Sequence, residues 1–84
     1  MLTEGVWAEI KVGGEHLRLF AEHNAQGVQV SVYNVNSKSW IAPPETVEDI
    51  EDGKDKATEY AKAYLRKTIG SEVPRLVWKK SRSR

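Results

Sequence analysis

Trp7, Phe20, Tyr33 and Trp40 are large aromatic side chains set among cations at Lys11, Arg18 and Lys38. Aromatic rings can stack on bases or bury against an apolar partner, and a neighbouring ammonium or guanidinium can contact phosphate or carboxylate. That chemistry requires the seven side chains to share one surface. Other residue types offer less. His16 and His23 are separated by an odd number of positions, one mid-strand and one at a turn, which sends them to opposite faces; they read as solvated surface histidines rather than a metal pair. Glu45, Glu48, Asp49, Glu51, Asp52 and Asp55 lack the alternating oxygen ligands and terminal Glu of a calcium loop, and read as a solvated acidic linker with a helix cap. The chain contains no GxGxxG, phosphate-binding loop, nucleophile elbow or cysteine nucleophile. A domain this small also leaves little room for a substrate cleft. The expectation is a protein without enzymatic activity, cofactor or metal.

The elements that would hold the aromatic residues are strands. In residues 6–12, Val6, Ala8, Ile10 and Val12 alternate with Trp7, Glu9 and Lys11, the period of a half-buried strand. Gly13-Gly14 suits a tight hairpin, and Leu17, Leu19 and Ala21 then alternate with His16, Arg18 and Phe20. Centring the turn on the glycines pairs Ile10 with Leu17, Glu9 with Arg18, and Trp7 with Phe20. A turn at Ala25-Gln26 leads into a strand over 28–35 and pairs Leu19 with Val32 and Arg18 with Tyr33. A turn at Asn36-Ser37 pairs Tyr33 with Trp40 in a short fourth strand, about 38–42, ended by Pro43-Pro44. The three turns give one consistent grid. A slip of one residue would scatter the apolar set over both faces.

The inner face of that grid is Val6, Ala8, Ile10, Leu17, Leu19, Ala21, Val28, Val30, Val32 and Ile41. A linker over 43–51 leads to an amphipathic helix over about 53–69, with Asp52 as N-cap and Gly70 as C-cap. Its stripe of Ala57, Tyr60, Ala61, Tyr64, Leu65, Thr68 and Ile69 covers the inner face. The fold class expected is α+β: a four-stranded antiparallel meander with one C-terminal amphipathic helix packed on one face, ββββα, in a single domain over 1–84. Residues 73–84 hold an apolar segment, Leu76-Val77-Trp78, and a basic tail whose SRSR end is expected to fray. The apolar segment is expected either to cover Trp7 and Phe20, its own chain's or a second chain's, or to add an edge strand.

With 84 residues and no cysteine, the chain cannot be stapled by disulfides and depends on this core. It has no apolar run of membrane-spanning length and no signal-peptide pattern at its start, so a soluble cytoplasmic protein is expected. Thirteen Lys and Arg against twelve Asp and Glu give a net charge of +1, which argues against nucleic-acid binding by bulk charge. In order of elements alone, four strands and a helix resemble the repeat unit of Whirly and Pur-type single-strand-binding proteins, a resemblance that implies no residue roles.

Two functions fit the outer face, which holds rows of Trp7, Phe20 and Ser31; Glu9, Arg18, Tyr33 and Trp40; and Lys11, His16, Val35 and Lys38. The first is a protein-interaction or self-association surface, with a protein partner or a homodimer packed sheet to sheet. The second is a stacking platform for single-stranded nucleic acid, with Lys11, Arg18, Lys38 and the tail's Lys79, Lys80, Arg82 and Arg84 on phosphate. Arg18 itself reads first as a cross-strand partner of Glu9 with its stem on an aromatic. The charge balance, with Glu9 and Glu22 on the same face, favours the protein partner.

Overall fold

Gly13 and Gly14 hold φ angles of 56° and 83°, the two left-handed residues that a two-residue type I′ hairpin needs. They join β1 (Thr3–Val12) to β2 (Glu15–Asn24). The structure, a computed structural model, describes residues 3–83, with side chains described for residues 5–80. The register places Ile10 opposite Leu17, Glu9 opposite Arg18 and Trp7 opposite Phe20, as the alternation requires. β3 (Gly27–Asn34) returns along β2 with Leu19 opposite Val32 and Arg18 opposite Tyr33. The Asn24 side chain accepts the Gln26 N–H at 2.8 Å and shapes the turn between them.

The far side of β3 departs from expectation. β4 is only Ser39–Trp40, held by Tyr33 opposite Trp40, and Lys38 lies in the preceding loop with φ 56°. Chain pairing does not end at Pro43-Pro44. It resumes as β5 (Glu45–Val47), with Val30 opposite Glu45 and Val28 opposite Val47. Three steps along β3, from Tyr33 to Val30, match five along the opposing chain, from Trp40 to Glu45. The prolines therefore sit in a two-residue excess that bulges from an edge, where a missing N–H costs no ladder bond.

The helix α1 spans Ile50–Ile69, and its N-cap is Asp49 rather than Asp52: the Asp49 carboxylate accepts the Asp52 N–H at 2.8 Å. Asp52 becomes part of an acidic first turn, favourable at the positive end of the helix dipole. Gly53 is buried inside the helix, where α1 leaves no room for a side chain against the sheet. A Cβ at Gly53 would lie 2.9 Å from Ala21 Cβ and 3.1 Å from Val28 Cγ1. At the other end Gly70 is left-handed and donates to Arg66 O, the closure of an αL cap, while the Ser71 N–H reaches Leu65 O.

A sixth strand follows the helix. β6 (Lys79–Ser83) pairs antiparallel with β1, Lys79 opposite Trp7 and Ser81 opposite Gly5. The helix is thus mid-chain, not C-terminal, and the sheet holds six strands rather than four, ordered β4-β3-β2-β1-β6 with β5 also on β3. Ser81–Ser83 are in a ladder instead of fraying; Arg84 lies outside the described residues. The ββββα order behind the likeness to Whirly and Pur-type repeats is not kept, since five strands precede the helix and a sixth follows it.

Ala57, Ala61 and Leu65 of α1 pack on Leu17, Leu19, Val30 and Val32, with Ile10 completing a cluster sealed from solvent. Val73, Leu76 and Trp78 pack against the same cluster from outside the helix, so Leu76 and Trp78 cover the inner side and leave Trp7 and Phe20 alone. Val77 is exposed. Val6 and Ile41, expected in the core, are half-buried at its margin. Asn34 is the one buried polar residue among those described; its amide donates to Tyr64 Oη at 2.8 Å, and its carbonyl accepts the Ser37 N–H at 3.1 Å. Among the described residues no helix is long and apolar enough to cross a membrane.

Candidate interaction face on the outer side of the sheet

Alternation along β1, β2 and β3 turns Trp7, Glu9, Lys11, His16, Arg18, Phe20, Ser31 and Tyr33 away from α1, because their neighbours Ala8, Ile10, Leu17, Leu19, Val30 and Val32 are buried under it. β4 brings Trp40 alongside Tyr33. Its ring stands edge-on to Tyr33, centroids 4.9 Å apart at 64°, and reaches Phe20 at 6.3 Å and 66°. Edge-to-face contacts of this kind are favourable beyond area burial, because the positive ring edge meets the negative ring face. Trp40 is nevertheless 54% exposed.

Glu9 organises the polar part of the face. Its Oε2 accepts from Arg18 Nε at 3.1 Å and lies 2.6 Å from His16 Nε2. The hydrogen bonds from His16 and Arg18 hold the Glu9 carboxyl below the usual carboxylate value, against some opposing desolvation. His16 is therefore engaged by Glu9 rather than simply solvated. The signal was present in sequence: with Lys11 opposite His16, Glu9 is its diagonal neighbour, within reach of long side chains. Arg18 is nearly half exposed, and Glu9 holds its Nε, while its terminal nitrogens have no hydrogen-bond partner among the described residues.

The remaining expected residues differ in placement. β6 sets Lys79 beside Trp7, with Nζ 5.2 Å from the ring centroid, a cation–π contact. Lys11 is exposed on the row of His16. Lys38 is exposed in the loop between β3 and β4 and is not carried by a strand of the face. Lys80 pairs opposite Val6 and so belongs to the inner side, away from the aromatics. Glu22, opposite Gly5, has no ion pair among the described residues.

Comparison with known proteins finds no matching family model, curated protein or solved structure. Function has to be argued from the geometry alone. Among the described residues, no group of three or more His, Cys, Asp and Glu side chains is placed to hold a metal ion.

Proposed function

We propose that this protein is a non-catalytic interaction module that docks a protein surface on the outer face of its sheet, with Trp40 as the anchor. The observation that carries the reading is the joining of Trp40, Tyr33 and Phe20 into one cluster whose leading member is more than half exposed. Single exposed hydrophobic residues are ordinary, whereas a contiguous aromatic patch with a polar rim is the usual composition of a binding surface. Neither α1 nor the 73–78 segment reaches that side; both pack on the inner cluster. A cysteine-free chain suits a reducing compartment such as the cytoplasm.

A second reading, a platform for single-stranded nucleic acid, draws support from Lys79 over Trp7 with Arg18 and Lys11 on the same face. Two features weigh against it. Lys79 occupies the ring face of Trp7 on which a base would stack. Glu9 and Glu22 also place carboxylates where phosphates would run.

The two readings separate by titrating the protein with single-stranded oligonucleotides at low and high salt while following tryptophan fluorescence. The interaction-module reading expects no quenching. Quenching that weakens steeply with salt and disappears in Trp40→Ala would replace it with the nucleic-acid reading.

A further inference from the structure

The outer face carries a charge pattern that is complementary to itself. On β2 the outward residues run Arg18, Phe20, Glu22, a cation and an anion spaced equally about an aromatic centre. A twofold axis lying in the plane between two sheets, perpendicular to the strands at the level of Phe20, reverses strand direction, leaves β1, β2 and β3 over their own copies and sets Trp40 of β4 over Thr46 of the second copy's β5. Phe20 then meets Phe20 of the second copy, Arg18 meets Glu22, and Glu22 meets Arg18. We infer that the occupant of this face is a second copy of the chain, packed sheet to sheet across such an axis; the inference rests on the interaction-module reading and names its partner.

Three observations support that partner over an unrelated protein. Glu22 has no ion pair among the described residues, and Arg18 spends only its Nε on Glu9, so each has bonding capacity facing outward. The same axis sets Glu9 over Gly5 of the second copy, because these residues lie symmetrically about Trp7 on β1; a carboxylate there meets no like charge. The size also suffices. β1 and β2 rise about 34 Å, β3 about 27 Å and the edge strands less, so at roughly 4.8 Å per strand the face offers on the order of 600 Å² in plan, within reach of the ~800 Å² of accessible surface per partner of stable interfaces. The molecule measures 38 × 22 × 22 Å, consistent with a sheet of that size. Lys79 shares the row of Phe20 and Trp7, and at the β6 edge it approaches its own copy. The twist of two sheets packed near −30° parts their edges, and solvent screens charges there.

Charge reversal tests the arrangement. Arg18→Glu leaves the face with anions on both sides of Phe20, and Glu22→Arg leaves it with cations on both sides. Sedimentation of the full chain across micromolar to millimolar concentrations should show a wild-type dimer and a weakening of about tenfold or more for each variant alone. An equimolar mixture of the two variants should restore a dimer containing one of each, and the double variant R18E/E22R should dimerise by itself. Circular dichroism of each variant checks that the fold is kept. A wild-type chain that stays monomeric overturns the inference, leaving the face open to another protein. A dimer that Phe20→Asp dissociates, but that the mixture fails to restore, overturns this axis while the outer face stands as the interface. A dimer indifferent to Phe20→Asp and to both reversals lies elsewhere and overturns both readings.

Discussion

Asn34 and Tyr64, thirty positions apart in sequence, meet with the Asn34 amide donating to the Tyr64 hydroxyl at 2.8 Å. The same hydroxyl donates to Glu15 Oε1 at 2.9 Å, so one tyrosine ties α1 to the end of β3 and to the start of β2. Because Asn34 is only 5% exposed, its amide has little access to replacement water. Tyr64→Phe should destabilise the fold by about 1–3 kcal/mol, the usual consequence of leaving a buried donor unpaired. Urea denaturation measures this. A change below roughly half a kilocalorie would mean that Asn34 finds another acceptor.

Gly53→Ala should go against helix propensity. In an exposed helix the change would stabilise by up to about 1 kcal/mol. Here the new methyl meets Ala21 Cβ at 2.9 Å and Val28 Cγ1 at 3.1 Å, and Ala21 has no rotamer by which to yield. The helix must lift from the sheet, with a cost of about 1–3 kcal/mol. An increase in melting temperature would place the helix farther from β2 than described.

The ionisable groups set stability at both ends of the pH scale. The Glu9 carboxyl is depressed below its ordinary 4.5 by His16 and Arg18, so its contribution is complete above that value and is lost as pH falls through the lower folded value. Tyr64 and Tyr60 are raised above 10.0, first by their hydrogen bonds to Glu15 and Glu45 and then by burial. Their contribution is present below pH 10.0 and fades as the pH rises through the folded values. Melting curves at stepped pH should therefore fall off on both sides. Glu9→Gln should flatten the acid limb, and Tyr64→Phe the alkaline one.

Removal of residues 71–84 should lower the melting temperature, because Leu76 and Trp78 leave the core cluster and β1 loses its β6 partner. Trp78→Ala alone should cost about 1–3 kcal/mol for a large apolar side chain that is only partly buried. An unchanged melting curve for the truncated chain would remove the segment from the core.

The parts legible in sequence are those where side-chain pattern and turn chemistry agree. The pairings Glu9–Arg18, Leu19–Val32 and Tyr33–Trp40 follow from period-two alternation closed by short turns. β6 escapes such reading because Lys-Lys-Ser-Arg-Ser has no apolar alternation; it forms on the open main chain of β1, and its charges suit an edge. β5 escapes because the proline pair resembles a strand end, whereas here it is a bulge in an edge that continues. The cap moves from Asp52 to Asp49 because Gly53, a poor helix former, conceals the first turn, and its reason for being there is tertiary. At the outer face the rows were readable, but the diagonal from His16 to Glu9 and the cation–π contact of Lys79 depend on which neighbour each long side chain chooses.

The claim that the outer face docks a protein surface, and that the surface is a second copy, is tested most directly by amide and indole chemical shifts followed on dilution. Concentration-dependent shifts are expected, centred on Phe20, Ser31, Tyr33 and the Trp40 indole, with α1 from Glu59 to Arg66 unchanged. Shifts confined to α1 or the 71–78 segment, or none up to millimolar protein, would contradict it.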